Sequence, residues 1–244
     1  MLNASPSTPT LLISGIDTGV GKTLVTSAIA AYLQTYCASQ RLAIFKPIQS
    51  GVGDREWYSQ HFTLTQTLAQ LTPLYFETPI APPLAAAAEG KTVDLALLWP
   101  VFQELQQNYD WVLVEGVGGL GSPLTAELTG ADLAYDWRLP TVLVVPVRLG
   151  AIGQTIAHVA LAQKAKVNLR GLILSCPEAC SSQEIEQWTP THLLESMTQI
   201  PVLGVLPHVP DPTNLAQLAH AAAQWDLERL LPSLVIPTQA GASS

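Results

Sequence analysis

The sequence predicts an α/β fold of three layers, in which helices flank a mostly parallel central sheet on both faces. Short apolar runs alternate with longer segments of helical period, a pattern typical of β-α units that feed a parallel sheet. The runs are nearly continuous in Val, Leu and Ile, as expected of strands buried on both faces. With 244 residues, 48% hydrophobic and 12% charged, the chain can bury a core large enough for such a sheet.

The apolar runs define the predicted strands, and the segments between them define the predicted helices. Because ligands bind beyond the carboxyl ends of strands in open sheets of this kind, residues that follow a strand are candidate site residues. Strands are predicted over 11–14, 42–45, 111–115, 141–147, 171–175 and 202–206. Helices are predicted over 22–35, 63–70, 95–107, 152–165, 183–198 and 214–227.

The composition of the chain changes at both ends. Residues 1–9 are rich in Ser, Pro and Thr, and residues 236–244 are rich in Ala, Gly and Ser. Such composition is typical of chain ends that are not tied to a core. We therefore expect one folded domain over 10–232, between flexible tails over 1–9 and 233–244.

Charge and hydropathy limit the expected partners. The chain carries 11 Lys and Arg against 19 Asp and Glu, with a net charge of −8, whereas nucleic-acid binders concentrate positive charge. No apolar stretch approaches the ~20 residues needed to cross a bilayer, and the first ten residues lack a signal-peptide pattern. We expect no nucleic-acid partner, no membrane association and a cytoplasmic location.

A glycine-rich loop, Gly15-Ile-Asp-Thr-Gly-Val-Gly-Lys-Thr23, joins the first predicted strand to the first predicted helix; we call it the phosphate loop. Its backbone N–H groups can converge on phosphate, Lys22 supplies a cation, and the Thr23 hydroxyl can bind Mg²⁺. Gly21 is the sixth residue after Gly15, so the loop is one residue longer than the common G-x₄-G-K-[ST] pattern. We predict a P-loop NTPase-like fold that binds a nucleoside triphosphate. The predicted nucleotide contacts in this region are Asp17, Thr18, Gly19, Val20, Gly21, Lys22, Thr23 and Leu24.

A second glycine-rich turn follows the strand that ends at Glu115. Gly116, Gly118 and Gly119 come directly after this acid. An acid at the end of a strand beside the phosphate loop can hold Mg²⁺ directly or through water, and the glycines let an anion approach backbone donors. The alternative for Glu115 is an ordinary exposed side chain before a tight turn.

Charged and glycine-rich residues follow two further strands. Lys46 can bracket the transferred phosphoryl group from the side opposite Lys22. Asp54 can complete the Mg²⁺ shell, although a plain turn aspartate explains it nearly as well. Residues 150–153 open a helix whose free N–H groups suit a carboxylate, and a simple glycine hinge is an equal alternative.

In combination, these motifs resemble the dethiobiotin synthetase family. The resemblance implies a homodimer with the active site at the subunit interface. It also implies conversion of 7,8-diaminononanoate, CO₂ and ATP to dethiobiotin, ADP and phosphate with Mg²⁺. A carbamate formed on one amine would be phosphorylated, and the second amine would close a cyclic urea. Besides the phosphate loop, the matching segments are Lys46-Pro-Ile-Gln-Ser-Gly51, Val114-Glu-Gly-Val-Gly-Gly119, Leu143-Val-Val-Pro-Val-Arg-Leu-Gly-Ala151 and Leu203-Gly-Val-Leu-Pro207.

The resemblance implies a role for each motif. Lys46, Lys22 and Thr18 would serve catalysis, and Thr23, Asp54 and Glu115 would hold the metal. The substrate would be bound by Ser50, Gly118 and the helix start Gly150, Ala151, Ile152 and Gly153, which would reach its distant carboxylate from across the dimer interface. The nucleotide base would meet Ser175, Pro207, His208 and Val209.

The expected base site departs from the family pattern at one position. The family often places an Asn where this chain has Ser175, and a hydroxyl cannot supply the paired donor and acceptor of an amide. We therefore expect more base contact from residues 207–209. Nucleoside triphosphates other than ATP, such as CTP or GTP, stay open as substrates.

Two other hypotheses fit the phosphate loop. The first is a related branch, either the partition and septum-placing ATPases or the corrin amidases. The ATPases carry a lysine early in the loop, where this chain has Asp17, and the amidases usually append a glutamine-hydrolysing domain for which 244 residues leave no room. The second is a nucleotide-gated binding protein that hydrolyses slowly and signals through a partner. It predicts nucleotide binding without chemistry on diaminononanoate.

Overall fold

The computed structural model describes residues 8–231, which are organised around parallel strands. The strands are β1 (Thr10–Gly15), β2 (Leu42–Phe45), β3 (Ile48–Ser50), β4 (Leu74–Phe76), β5 (Trp111–Glu115), β6 (Thr141–Pro146), β7 (Leu169–Ser175) and β8 (Val202–Leu206). Six of them form the central sheet in the order β2-β5-β1-β6-β7-β8, with every neighbouring pair parallel. β3 and β4 pair separately in a parallel two-stranded sheet.

Helices occupy most of the connections between strands. They are α1 (Lys22–Tyr36), α2 (Asp54–His61), α3 (Leu68–Leu71), α4 (Pro82–Ala88), α5 (Leu98–Asn108), α6 (Gly130–Asp136), α7 (Ala151–Lys164), α8 (Ser182–Trp188), α9 (Thr191–Thr198), α10 (Leu215–Ala222) and α11 (Leu227–Leu230). A short 3₁₀ turn, Leu95–Leu97, precedes α5. Within residues 8–231, no helix has both the length and the hydropathy that a bilayer crossing requires.

The sheet separates two apolar cores. Leu11 and Ile13 of β1 lie in one core, together with buried side chains of α1, α7 and α10. Leu12, between them, points to the other core, where it meets Phe102 of α5 and Ala134 of α6. This alternation is the expected consequence of the β pleat. Two cores around one sheet make three layers, which confirms the predicted α/β fold.

All six predicted strands are present, with ends that differ by at most two residues. The helix predicted over 63–70 is wrong, because α2 precedes this segment and α3 covers only its end. Gln66 explains the difference. Its buried side-chain amide accepts from the backbone N of Ile44 at 2.8 Å and donates to the carbonyl of Ile44 at 2.6 Å. The segment thus completes the hydrogen bonding of the edge strand β2, a requirement that helical periodicity cannot reveal.

The single helix predicted over 183–198 is also wrong, because the chain breaks between α8 and α9. Pro190 lies at this break and caps α9. Proline lacks the N–H that a continuous helix needs, and its ring disfavours helical backbone in the residue before it. The short elements β3, β4, α2, α4, α6 and α11 were not predicted.

The predicted tails lie outside the described residues, apart from Thr8 and Pro9. The Thr8 hydroxyl donates to the carbonyl of Gln106, and the carbonyl of Pro9 accepts from the backbone N of Val112. These contacts attach residues 8 and 9 to α5 and β5.

Candidate active site

A cavity of about 520 Å³ opens where the carboxyl ends of β1, β2 and β5 meet. Its wall combines the phosphate loop with the residues that follow β2, β3 and β5. This is the edge at which ligands bind in open parallel sheets. Ten of the residues predicted from the sequence lie on this wall: Thr18, Gly19, Gly21, Lys22, Thr23, Lys46, Ser50, Asp54, Glu115 and Gly118.

The phosphate loop turns through left-handed backbone at Gly19 (φ 72°) and Gly21 (φ 95°). A Cβ atom on Gly21 would also overlap the Oγ of Ser175, so glycine is required there on two grounds. Gly21 caps α1 without a side-chain hydrogen bond, which leaves the first N–H groups of the helix open to an anion.

Lys22 is buried in the first turn of α1, and its Nζ donates to the carbonyl of Asp17 at 2.9 Å. Burial lowers the pKa of Lys22 to about 8, although the nearby charges of Glu115 and Asp54 oppose the shift. A bound phosphate would therefore raise the pKa of Lys22 and favour its charged form.

The sheet register brings Lys46 and Glu115 together. β2 and β5 pair with Phe45 opposite Val114, so Lys46, which directly follows β2, lies beside Glu115, the last residue of β5. The Nζ of Lys46 lies 2.8 Å from Oε1 of Glu115 and 2.5 Å from Oδ2 of Asp54. Glu115 is 0% exposed, which excludes the exposed surface acid considered as its alternative.

Charge and burial act in opposite directions on this cluster. Burial lowers the pKa of Lys46, but Glu115 and Asp54 outweigh it and the net shift is upward. Burial raises the pKa of Asp54, but the charge of Lys46 and the hydrogen bonds of Lys46 and Thr23 together outweigh it and lower the pKa to about 2. Burial raises the pKa of Glu115, and Lys46 only partly offsets it. Lys46 and Asp54 therefore form a firmly ionised pair at neutral pH.

Three oxygen-bearing side chains converge beside this lysine. The Thr23 hydroxyl donates to Oδ1 of Asp54 at 2.7 Å and lies 3.3 Å from Oε1 of Glu115. Hydroxyl and carboxylate oxygens are the donors that Mg²⁺ prefers, usually with phosphate and water completing the shell. The chemistry of this donor set fits Mg²⁺. Among residues 8–231, no three His, Cys, Asp or Glu side chains gather as a metal site, so a metal here would depend on phosphate oxygens as well.

Ser50 and Gly118 lie on the wall facing the phosphate loop. The Oγ of Ser50 is buried and has no hydrogen-bond partner among the described residues. A buried hydroxyl without a partner is costly, so it marks a position where a ligand atom would be stabilised. Gly118 adopts left-handed backbone (φ 60°), and a Cβ there would overlap Ser122.

Several predicted phosphate-loop residues do not line the cavity with their side chains. Asp17 pairs instead with Arg148 at 3.2 Å on the surface. Val20 is buried in the core, and Leu24 packs against it. Any contribution of these three residues to a phosphate would come from the backbone.

The four predicted base-contacting residues also lie off the wall. Ser175 is 1% exposed and its Oγ lies against Gly21, so its side chain is not available to a base in this arrangement. Pro207 is exposed, Val209 is buried, and the Nδ1 of half-buried His208 lies 3.2 Å from the carbonyl of Pro177. The predicted substrate segment Gly150–Gly153 forms the start of α7, with Gly150 as its N-cap in left-handed backbone (φ 88°). This segment does not line the cavity.

Some residues at the cavity were not predicted from the sequence. Gln49 lies on the wall, and its side chain donates to Gly51 and Glu56. Tyr58 lies behind the wall and contacts Glu115. The proline-rich run Pro79-Ile-Ala-Pro82 also lines the cavity, and its composition was a usable signal for a rigid connection.

Comparison with known proteins decides the family. The chain is 51% identical over 222 residues to the ATP-dependent dethiobiotin synthetase BioD of Gloeothece citriformis, covering 91% of this chain and 98% of that protein. It is 52% identical to the enzyme of the same name from Crocosphaera subtropica, covering 91% and 99%. The chain belongs to the dethiobiotin synthetase family. A family model described as an AAA domain also matches residues 9–216 of this chain.

Two solved structures with the same fold are similar to this chain at lower identity. The septum site-determining protein MinD of Pyrococcus horikoshii, complexed with Mg-ADP, superposes with a TM-score of 0.60 at 17% identity, covering 94% of this chain and 99% of that one. The MinC:MinD cell division protein complex of Aquifex aeolicus gives a TM-score of 0.59 at 16% identity, covering 95% and 98%. At such low identity, the likeness extends to the fold alone.

Proposed function

We propose that this protein is an ATP-dependent dethiobiotin synthetase, a ligase that converts 7,8-diaminononanoate and CO₂ to a cyclic urea with release of ADP and phosphate. The observation that carries the proposal is the position of Lys46, buried against Glu115 and Asp54 on the wall of the cavity that holds the phosphate loop. Membership of the dethiobiotin synthetase family indicates which substrates the enzyme uses.

The reaction brings several anionic groups together. One amine attacks CO₂ and loses a proton to give a carbamate, and a carbamate oxygen then attacks the γ-phosphorus as the bond to ADP breaks. The second amine attacks the carbonyl carbon of the mixed anhydride, a proton leaves the nitrogen, and phosphate departs. Lys22 and Lys46 are proposed to stabilise the transferred group from two sides, with Thr18 as a further donor.

Mg²⁺ is proposed to be held by Thr23, Asp54 and Glu115, whose oxygens converge beside the phosphate loop. When bound, the ion would neutralise charge on the phosphate oxygens. Asp54 is the more accessible of the two carboxylates, with its side chain 30% exposed, whereas that of Glu115 is 0% exposed.

Ser50 and the backbone of Gly118 are proposed to bind the carbamate end of the substrate. The hydroxyl of Ser50, which has no hydrogen-bond partner within residues 8–231, supports this role. For the nucleotide base, the burial of Ser175 favours contacts with Pro207, His208 and the backbone of Val209.

We also propose a homodimer with the active site at the subunit interface, where the Gly150–Gly153 segment of one subunit would bind the distant carboxylate of substrate held by the other. Large apolar side chains support it: Leu149 is 85% exposed, Val52 81% and Leu84 61%. Leu149 follows β6 and Val52 follows β3, while Leu84 lies in α4. Where such side chains form a contiguous patch, they mark a contact surface.

Sedimentation velocity tests the dimer, with and without ATP and diaminononanoate. The wild type is expected to sediment as a dimer and Leu149→Asp as a monomer. A wild type that stays monomeric with both ligands present would contradict the interface.

The activity test incubates purified protein with diaminononanoate, bicarbonate, Mg²⁺ and ATP, and measures dethiobiotin and phosphate. Omitting diaminononanoate controls for uncoupled hydrolysis. Dethiobiotin formation with equimolar phosphate is expected, whereas nucleotide binding without product would favour the nucleotide-gated binding protein. Repeating the assay with CTP and GTP compares kcat/KM among nucleotides.

A further inference from the structure

Tyr58 is a buried titratable residue for which the reaction above has no use. It is 0% exposed, and its phenol oxygen donates a hydrogen bond to Oε2 of Glu115. The other carboxylate oxygen, Oε1, accepts from Lys46 at 2.8 Å and lies 3.3 Å from the Thr23 hydroxyl. The two oxygens of Glu115 therefore have different partners. Oε2 contacts the phenol, and Oε1 is directed to the lysine and the first turn of α1.

The helix α2 delivers both Asp54 and Tyr58 to this cluster. The two residues lie four positions apart, so their side chains project from the same face of the helix. Asp54 contacts Thr23 and Lys46 from the cavity side, while Tyr58 contacts Glu115 from the core side. One short helix thus positions groups on two sides of the cluster.

The start of α2 is itself fixed by polar contacts. The carboxylate of Glu56 accepts from the backbone N of Gly53 and from the side chain of Gln49, each at 2.9 Å. The side-chain oxygen of Gln49 accepts from the backbone N of Arg55 at 2.8 Å. Because these bonds hold the first turn of α2, Tyr58 meets Glu115 from a rigid support.

We propose that Tyr58 is a positioning residue that holds Glu115 so that one oxygen, Oε1, is presented towards Thr23 and the metal. The inference rests on the proposed function of the site. A carboxylate with both oxygens unconstrained can rotate and bind a metal with either or both, whereas the phenol hydrogen bond keeps Oε2 turned away. Partners behind a metal ligand commonly change metal affinity when they are removed.

A purely structural role is the competing explanation. The ring of Tyr58 packs in the core, with its centroid 6.1 Å from that of Phe62. Tyr58→Phe keeps the ring and removes only the hydroxyl, so it separates the hydrogen bond from the packing. Tyr109→Phe is the matched control, because the Tyr109 hydroxyl shares a hydrogen bond with Thr65 at 3.0 Å and does not line the cavity.

The test measures Mn²⁺ binding by electron paramagnetic resonance, with a non-hydrolysable ATP analogue present. Tyr58→Phe is expected to weaken Mn²⁺ binding by about 10- to 100-fold, as loss of a ligand's hydrogen-bond partner does elsewhere, while Tyr109→Phe leaves it at the wild-type value. Thermal unfolding of the same proteins shows whether both variants are folded. Mn²⁺ affinity within twofold of wild type in folded Tyr58→Phe would overturn the proposal.

A double-variant cycle tests whether Tyr58 acts through Glu115. In the Glu115→Gln background, Tyr58→Phe should change Mn²⁺ affinity far less than it does in the wild type. Equal effects in both backgrounds would show that Tyr58 acts by another route and would also overturn the proposal. If Tyr58→Phe does not fold, Tyr58→Leu, which also lacks a hydrogen-bond donor, is compared with wild type in both backgrounds.

Activity provides a separate readout. The Mg²⁺ concentration for half-maximal velocity should rise in Tyr58→Phe, and saturating Mg²⁺ should restore part of kcat. If the wild type forms no dethiobiotin, the proposed function fails, yet the Mn²⁺ measurements still decide the role of Tyr58.

Discussion

The hydroxyl of Thr23 donates to Oδ1 of Asp54 at 2.7 Å and thereby joins the first turn of α1 to the first turn of α2. The two residues are far apart in the sequence. Their contact places the end of the phosphate loop beside a carboxylate that can bind a metal ion together with the Thr23 hydroxyl. Asp54 is the accessible carboxylate of the cluster, because its side chain is 30% exposed while that of Glu115 is 0% exposed.

Asp54→Asn is expected to raise the Mg²⁺ concentration for half-maximal velocity by about 10-fold or more, because a neutral amide is a weaker ligand for a hard cation. A Mg²⁺ titration of dethiobiotin formation measures the change. Asp110→Asn is the control, since Asp110 pairs with Arg41 at the surface, 3.1 Å away. An unchanged Mg²⁺ requirement in Asp54→Asn would remove this residue from the metal site.

Lys46→Ala and Lys22→Ala are each expected to lower kcat by at least ~100-fold, as removal of a preorganised charge does in other active sites. Lys91→Ala, which removes an exposed lysine paired with Glu89, should leave kcat unchanged. Steady-state kinetics at saturating substrates provides the comparison. If Lys46→Ala has a kcat near that of the wild type, the proposal that Lys46 stabilises the transferred phosphoryl group is wrong.

Nucleotide affinity is expected to fall as the pH rises above about 8, where unliganded Lys22 loses its proton. The sign follows from linkage: bound phosphate favours the charged lysine and raises its pKa, so binding above pH 8 must take up a proton. Calorimetry in two buffers of different ionisation enthalpy measures that uptake. Lys22→Met should abolish it, and proton uptake that persists in Lys22→Met would assign the effect to another group.

Gly21→Ala is expected to weaken nucleotide binding and to lower the Tm, because the residue needs left-handed backbone and its Cβ would overlap Ser175. Gly90→Ala shows the backbone effect alone, since Gly90 has a similar backbone (φ 66°) and an added Cβ there would meet open space. Left-handed backbone costs a non-glycine residue on the order of 1 kcal/mol. Equal losses of Tm in the two variants, with unchanged nucleotide affinity, would show that the contact with Ser175 is unimportant.

The strands were predictable because each is a local run of apolar residues, and the phosphate loop because its glycines, Lys22 and Thr23 are contiguous. The helix over 63–70 was mispredicted because Gln66 is required by the backbone of Ile44 rather than by its own neighbours in sequence. Tyr58 was missed for the same reason: nothing near it in the sequence indicates a hydrogen bond to Glu115.

By itself, the sequence determined the layered fold, the phosphate loop and which charged residues end the strands. Tertiary structure alone decided how those residues meet. The register of β2 on β5 sets Lys46 beside Glu115, α2 brings Asp54 to Thr23, and the end of β7 buries Ser175 under the phosphate loop. Strand order and register depend on the packing of the whole sheet, so contacts between distant residues follow from the folded chain and not from any local pattern.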